Sequence, residues 1–560
     1  MDRYSLWRKN WPKGLPTASY FPYGKMPIAD YLKKHAEITP DKIAVNFYGM
    51  EVTFKEWDES ADRLANALSE LGYKKGDRAV LYMQNCPQYY IAYIAAARLG
   101  LIIFPTDVMY KEFELEYVLD DSGAKLVIAL DQLYPIVKAV RGKSKVKDVI
   151  VTSFSDYLPN EPALPLSKLM TPPKETFPDT LEFLDLLQKY SPDSPRIDID
   201  LDELELVLYT GGTTGAPKGC PHSHEHVLLS GAHDAYIRAR GRDLSTCKST
   251  LSFLPVSHIG GLSHTLFPSC VDGRSVILLT RYDPVTVMQG IDRYGVELFV
   301  ATVPIYQELL EHPAFQEYDL SSVKLWKAGE WMIWVTPEFS KRWADAVGTP
   351  LVKWGYGVGT EMLNVLTTGT RLGYEVPFKD TFMMGTIAPD EGLDIKIVDF
   401  DTHKELPVGQ QGEIAMKSPG LIKYYWNKPE ESKKELTEDG WIYSGDIGKL
   451  DEEGYIYWYG RRRYLIRVSG YQVSPGELEM IGRRNPAIAK IAVVGIPDKR
   501  KGEIPKAFVE LAPEVKTTEA ELEQWFKEHI AAYKAPKVEI RSELPLTRKG
   551  SIDMKKLLGE

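Results

Sequence analysis

The chain has 560 residues, of which 44% are hydrophobic and 26% charged, and its formal net charge is −10. This length suggests about two to four globular domains, and the negative charge argues against a nucleic-acid partner. No apolar run reaches the roughly 18 residues of a membrane span. Because the amino terminus lacks a signal-peptide core and only four scattered cysteines occur, we expect a cytoplasmic protein.

The amino-terminal part of the chain alternates helices and strands. Its first forty residues are rich in Pro, Tyr and Trp and are expected to form an arm on the domain. Apolar residues at helical spacing predict a helix from Phe54 to Leu71 that is closed by Gly72. The elements predicted next are strand 78–83, helix 89–99, strand 101–104, helix 113–119 and strand 125–130. This alternation predicts an α/β fold with a mostly parallel, helix-covered sheet, followed by a loop or linker at 153–195.

A β-prone apolar run, Leu204–Tyr209, leads directly into a loop rich in Gly and Thr. Glycines let backbone N–H groups surround an anion closely, and the hydroxyls and one ammonium add donors, so the loop is a candidate polyphosphate cradle. It is not a Walker loop, because Pro217 precedes Lys218 and Gly219 follows it. A polar turn between two strands is the alternative. The candidate phosphate-binding residues are Thr210, Gly211, Gly212, Thr213, Thr214, Gly215 and Lys218.

This loop resembles the signature loop of the adenylate-forming superfamily, which includes acyl-CoA synthetases, adenylation domains and luciferases. The usual Thr-Ser-Gly-Thr-Thr-Gly is present with Gly211 in the place of Ser. Further motifs follow in the family's order, so the resemblance covers nearly the whole chain. It implies an acyl-CoA synthetase-like fold with a large AMP-binding domain at 1–462, built of mixed and parallel sheets covered by helices. A small, mobile α+β domain is expected at 463–560.

Three histidines, His222, His224 and His226, follow the loop at every second position. This spacing would place them on one face of a strand and lacks the spacing of a structural zinc site, so we favour a strand. His224 also stands where the resembling family has a histidine that opens a helix.

The resemblance places the acid substrate at Leu254–Gly261, where His258 lies on a tight loop between Pro and a Gly pair. An ordinary surface or core histidine is the alternative. It also places the turn at 327–331, with Gly329 and Glu330, along the adenine and the acyl group.

A further motif at 354–361 resembles the family's Tyr-Gly-x-Thr-Glu, with one extra residue between Tyr356 and Thr360. The resemblance implies that the Thr360 hydroxyl contacts the α-phosphate and that Tyr356 stacks on the adenine. It assigns Glu361 to a Mg²⁺ ion that bridges phosphates, and a carboxylate suits this hard cation. Thr360 and Glu361 are therefore predicted catalytic residues, with Glu361 as the metal ligand.

The carboxy-terminal motifs are assigned to the nucleotide and to coenzyme A. The Asp446 carboxylate is suited to accept hydrogen bonds from ribose hydroxyls. By the same resemblance, Arg461 binds the nucleotide and Arg463 stands at the hinge of the small domain. Gly470 matches the glycine that lets the pantetheine arm pass close to the backbone.

The tail departs from the family, which ends Leu-Pro-x-Thr-x-x-Gly-Lys-Ile. Ser551 occupies the place of that lysine. A cation must offset the repulsion between a carboxylate and the ATP α-phosphate where charges are poorly screened. Lys549, two residues upstream on a long stem, is the candidate for this catalytic role.

Together these features imply an AMP-forming acid–CoA ligase whose substrates are a small-molecule carboxylic acid, ATP with Mg²⁺, and coenzyme A. The carboxylate attacks the α-phosphorus to give an acyl-adenylate and pyrophosphate, and the thiol of CoA then displaces AMP. A short-to-medium or hydroxylated aliphatic acid is expected, with an aryl acid as the alternative. The rival functions are a carrier-charging enzyme, a luciferase-like enzyme and, because of Ser551, a nucleotide-binding relative. A homodimer is compatible with the sequence.

Overall fold

A computed structural model describes residues 10–11, 13, 16–210, 217–240, 247–329, 335–353, 355–365, 383–387, 392–461, 466–469, 471–473, 475–544 and 557. Its strands are β1 Ile43–Phe47, β2 Met50–Thr53, β3 Arg78–Tyr82, β4 Ile102–Pro105, β5 Leu126–Leu130, β6 Asp148–Thr152, β7 Leu181–Glu182, β8 Leu204–Thr210, β9 Lys218–Ser223, β10 Ser249–Ser252, β11 Ser275–Leu278, β12 Leu298–Thr302, β13 Leu325–Gly329, β14 Leu351–Lys353, β15 Met383–Thr386, β16 Asp394–Val398, β17 Gln411–Lys417, β18 Ile442–Leu450, β19 Tyr455–Arg461, β20 Ile466–Val468, β21 Tyr471–Val473, β22 Ile488–Asp498, β23 Gly502–Leu511 and β24 Lys537–Ile540.

The α-helices lie mostly between these strands. In chain order they are α1 Ile28–Ile38, α2 Phe54–Glu70, α3 Pro87–Arg98, α4 Glu112–Ser122, α5 Tyr134–Arg141, α6 Phe183–Lys189, α7 His224–Ala232, α8 Ile259–Gly261, α9 Phe267–Asp272, α10 Pro284–Tyr294, α11 Val303–Glu311, α12 Pro337–Val347, α13 Pro429–Glu435, α14 Pro475–Gly482 and α15 Glu519–His529. Two π-helical segments, His233–Arg240 and Leu262–Leu266, continue from α7 and α8.

Two seven-stranded sheets contain most of the strands. The first has the order β14-β13-β12-β10-β11-β1-β2 and the second the order β7-β6-β5-β3-β4-β8-β9. Among the described pairings of these sheets, β1–β2 is antiparallel and the others are parallel. A five-stranded sheet with antiparallel pairings has the order β15-β19-β18-β17-β16. The predicted α/β class with mostly parallel sheets is therefore confirmed.

The main apolar core is centred on α3. Every residue from Pro87 to Ala97 in this helix is buried, as expected for a helix that is apolar on all sides. One cluster of buried side chains contains residues of α1, α2 and α3 together with residues of both seven-stranded sheets. The helices thus fill the space beside the sheets and fix the strand ends that position the site.

Contacts divide the chain into two compact units, and the smaller one is built from the segments 109–118, 209–218 and 461–560. Its sheet has the order β21-β20-β23-β22, with β24 paired to β23. Inside this unit, Glu114 Oε1 lies 2.9 Å from Lys534 Nζ, and both side chains are only 3% exposed. The other carboxylate oxygen accepts the Ala531 N–H at 2.9 Å. The predicted boundary between residues 462 and 463 stays a prediction.

Three expectations from the sequence are wrong. The first forty residues contain a regular helix, α1, whose inner face is buried. The segment 153–195, expected to be a loop, contains β7 and α6, because its short apolar run packs on the core. The three histidines do not share a strand. Ser223 ends β9, and its side chain caps α7, which begins at His224.

Candidate functional site

Several predicted site residues follow the carboxyl ends of strands in the first sheet. Gly329 is the last residue of β13, β10 leads to the loop that contains His258, and β14 leads to the turn at 355–365. Since β10, β12, β13 and β14 run parallel, these segments leave the sheet at one edge. Open α/β sheets bind ligands at this edge.

The turn at 355–365 has a strained backbone. Leu363 and Asn364 have φ angles of 48° and 58°, a left-handed conformation that costs a non-glycine residue about 1–3 kcal/mol. Neighbouring side chains hold the turn. Ser230 Oγ donates to the Leu363 carbonyl at 2.5 Å, and Asn364 Nδ2 donates to Ser263 Oγ at 2.6 Å. Such strain, held from outside, is typical of functional sites.

Thr360 and Glu361 lie on this turn, and both are half-buried. The Tyr425 hydroxyl donates to Glu435 Oε2 at 2.9 Å and lies 3.5 Å from Glu361 Oε1. Burial, together with the negative charge of Glu361, raises the pKa of Tyr425 well above its usual value, so the phenol stays protonated. No sequence motif marks Tyr425 as a contact of Glu361.

Tyr356 and Asp446 are in direct contact. The Tyr356 hydroxyl donates to Asp446 Oδ2 at 2.8 Å, and both residues are buried. The tyrosine ring also lies 5.9 Å from the ring of Trp458. The structure thus brings together the residue assigned to the adenine and the residue assigned to the ribose, although 90 positions separate them in the sequence.

His258 is exposed to solvent, yet the surrounding protein lowers the pKa of its ring by desolvation, against the opposing charge of Asp107. The Gly260 N–H donates to His258 Nδ1 at 3.2 Å. A neutral ring that accepts at Nδ1 carries its proton on Nε2, so His258 presents an N–H donor there.

The two ends of the phosphate loop are described. Thr210 ends β8 and Lys218 begins β9, the neighbouring strand of the second sheet, and both are half-buried. Arg461 ends β19, but its side chain lies outside the described part of the structure. The roles of these three residues stay predictions. The predicted residues wholly outside the described ranges are Gly211, Gly212, Thr213, Thr214, Gly215, Glu330, Arg463, Gly470, Lys549 and Ser551.

A buried cluster of charges surrounds Asp234. Its Oδ1 lies 2.8 Å from Lys327 Nζ and 2.9 Å from His264 Nδ1, and its Oδ2 lies 3.3 Å from an Arg274 nitrogen. Burial alone would raise the pKa of Asp234, but these neighbours hold it well below its usual range. Lys327 precedes Gly329 on β13, so the cluster secures the strand that ends at the predicted adenine turn. No sequence motif marked this cluster.

The sequence matches two family models: residues 32–426 match "AMP-binding enzyme" and residues 477–551 match "AMP-binding enzyme C-terminal domain". The chain belongs to the AMP-binding enzyme family. A long-chain-fatty-acid–CoA ligase of Bacillus subtilis (strain 168) is 34% identical over 575 residues, which cover 100% of this chain and 99% of the relative. A 4-coumarate–CoA ligase 2 of Petroselinum crispum is 28% identical over 87% of this chain and 84% of its own length.

A solved structure of a long-chain-fatty-acid–CoA ligase from Archaeoglobus fulgidus has a TM-score of 0.74 at 22% identity, and the match covers 95% of this chain and 99% of that one. At this identity the likeness shows the fold alone. The family models and the relatives, together with this fold, confirm the prediction that the chain is an adenylate-forming enzyme. The AMP-binding enzyme described here is an AMP-forming acid–CoA ligase that uses ATP and CoA. No helix in the described ranges is long and apolar enough to cross a membrane.

Proposed function

We propose that this ligase activates a long-chain aliphatic carboxylic acid, and that the turn at 355–365, the His258 loop and Asp446 form its adenylation site. The hydrogen bond between Tyr356 and Asp446 supports this proposal, because it joins two residues from separate motifs that the resemblance assigns to one adenosine. The acid class is supported by the relative from Bacillus subtilis, which matches over the whole length of both chains and is named a long-chain-fatty-acid–CoA ligase.

In this proposal the residues act by binding and orienting the reactants, which accounts for most of the catalysis in such a transfer. Tyr356 and Asp446 hold the adenosine, and the Thr360 hydroxyl donates to an oxygen of the α-phosphate. The Nε2–H of His258 orients the acid. A carboxylate oxygen forms a bond to the α-phosphorus while the bond to pyrophosphate breaks, and pyrophosphate leaves with the electron pair. The thiolate of CoA then attacks the acyl carbon, and AMP leaves. Lys549 stays the sequence-based candidate for the cation of the first step.

The residues of the turn fit Mg²⁺. This ion prefers oxygen ligands and is commonly held by one or two carboxylates together with substrate phosphates. The half-buried Glu361 carboxylate, next to the Thr360 hydroxyl, offers such oxygens. When bound, the ion would supply positive charge between phosphate oxygens.

Glu361→Gln is expected to raise the Mg²⁺ concentration that gives half-maximal adenylation by about tenfold or more, because one charged ligand is lost. The measurement is pyrophosphate release as a function of Mg²⁺ at fixed ATP. Glu435→Gln is the matched control. Glu435, like Glu361, contacts the Tyr425 hydroxyl, but it is not assigned to the metal. An unchanged Mg²⁺ midpoint in Glu361→Gln would contradict the assignment.

The acid class is tested by kcat/KM for acyl-CoA formation with hexadecanoate, octanoate, 3-hydroxybutyrate and 4-coumarate. Each buried CH₂ contributes about 0.8 kcal/mol, so burial of about four of the eight additional CH₂ groups of hexadecanoate should already raise its kcat/KM above that of octanoate by about a hundredfold or more. The second candidate is a short-to-medium or hydroxylated acid. It is favoured by the small residues Val358 and Gly359 within the turn, which leave room for an acid larger than acetate. Higher kcat/KM with octanoate or 3-hydroxybutyrate would select it. If no acid releases pyrophosphate from ATP, the proposed function is wrong.

A further inference from the structure

One buried histidine contacts the turn that carries Thr360 and Glu361. His222 lies on β9 and is fully buried, and its Nε2 lies 2.8 Å from the Thr360 carbonyl oxygen. On the opposite side of its ring, Nδ1 lies 3.4 Å from Nδ1 of His226. The contact with Thr360 joins residues that are 138 positions apart in the chain.

The neighbours of His222 fix the positions of its protons. A carbonyl oxygen can only accept a hydrogen bond, so the proton of His222 lies on Nε2. Burial lowers the pKa of His222 well below its usual value, and burial lowers the pKa of His226 to about 4, so both rings are neutral near pH 7. The unprotonated Nδ1 of His222 then accepts a hydrogen bond from the Nδ1–H of His226. His226 thus keeps His222 in the tautomer that donates to Thr360.

We propose that His222 is a positioning residue for adenylation, which holds the turn at 355–365 in its strained conformation through the Thr360 carbonyl. The same carbonyl accepts the N–H of Leu363 at 3.3 Å, and Leu363 is one of the two residues with positive φ. The Nε2–H of His222 therefore binds the residue that carries the Thr360 hydroxyl, at a carbonyl that is also bonded to the strained backbone. This inference rests on the proposed role of the turn in binding ATP.

The donor can be removed or replaced without a large change in volume. His222→Phe keeps a planar ring but has no N–H, whereas His222→Gln places an amide N–H near the position of Nε2. In His222→Asn the side chain is one CH₂ shorter, so its amide does not reach that position. A small misplacement of catalytic groups can cost about a hundredfold in rate. We therefore expect adenylation to slow by about 10- to 100-fold in His222→Phe and His222→Asn, and by less than about threefold in His222→Gln.

The experiment measures single-turnover formation of acyl-AMP, and separately the formation of acyl-CoA from acyl-AMP that was made beforehand. The second rate, measured at saturating acyl-AMP, should slow by a smaller factor than the first in each variant, because acyl-AMP keeps the adenosine and the α-phosphate but no longer carries the pyrophosphate that the proposed Glu361–Mg²⁺ contact of the turn serves. His35→Phe is a matched control, since His35 is also buried and its Nε2 lies 3.4 Å from a carbonyl, that of Val271. It should adenylate at the wild-type rate.

Folded His222→Phe that forms acyl-AMP at the wild-type rate would overturn the proposal. If His222→Phe does not fold, His222→Asn and His222→Gln decide the matter, and equal adenylation rates in these two variants would overturn it as well. Equal slowing of both half-reactions would also overturn it, because this is the result expected from general damage to the fold. A wild-type chain that forms no acyl-AMP would instead contradict the proposed function.

Discussion

Asp234→Ala is expected to lower the free energy of unfolding by about 3–5 kcal/mol, the cost of removing one partner from a buried ionic cluster. The carboxylate is the shared acceptor of Lys327, His264 and Arg274, and all four residues are at most 2% exposed. Without it, the buried ammonium of Lys327 loses the carboxylate that lies 2.8 Å away, and a buried charge is costly when an opposite charge is removed. The measurement is urea unfolding followed by tryptophan fluorescence, because Trp326 lies next to Lys327 on β13.

Asp345→Ala is the matched control for this prediction. Its ion pair with Lys341, at 2.6 Å, is shorter than the described contacts of Asp234 with Lys327, His264 and Arg274, but the side chains of Lys341 and Asp345 are 74% and 65% exposed. Exposed pairs contribute little to stability, so this variant should unfold almost as the wild type does. If the two variants lost equal stability, burial would not be the cause of the effect at Asp234.

Asp446→Ala is expected to reduce kcat/KM for ATP by about a hundredfold or more. In the proposed site the carboxylate accepts hydrogen bonds from the ribose hydroxyls, and each charge-assisted hydrogen bond contributes about 1.5–3 kcal/mol. The same substitution removes the acceptor of the Tyr356 hydroxyl, which lies 2.8 Å from Oδ2. The tyrosine ring would then lose the contact that fixes it for stacking on the adenine.

Steady-state kinetics with varied ATP, at saturating acid and CoA, measures this effect. Tyr356→Phe separates the two causes, because it removes the hydroxyl but keeps both the ring and the carboxylate. We expect its kcat/KM for ATP to fall by about tenfold at most, because the lost hydroxyl contacts Asp446 and is not proposed to contact ATP itself. A kcat/KM for ATP near the wild-type value in Asp446→Ala would rule out the ribose assignment.

The sequence predicted those parts of the fold that local signals determine. The helix expected at 54–71 is present as α2, because a capping box between Thr53 and Glu56 starts it and Gly72, with φ 89°, follows its end. The helix α1 escapes prediction, because the surrounding Pro and Tyr residues mask its short apolar face. The histidine spacing predicts a strand through Ser223, although the hydroxyl of this residue starts a helix.

For the site, the motifs identified residues one at a time but did not show which of them meet. Tyr356 and Asp446 each belong to a motif, so their contact across 90 positions joins two predictions. Asp234 and Lys327 are 93 positions apart and no motif pairs their charges, so their contact between the π-helical segment and β13 forms only when the chain folds. Pairs of this kind depend on tertiary structure, which a periodic pattern does not encode.

The ion pair between Glu114 and Lys534 has a consequence for the order in which the protein folds. The two residues are 420 positions apart, and the smaller unit also includes the segment 209–218. A ribosome therefore releases the first two segments of that unit long before the third one exists. During this interval Glu114 has no contact with the ammonium of Lys534, because that residue has not been synthesised. The smaller unit can be completed only after the end of the chain leaves the ribosome, which makes it a late-folding part of the molecule.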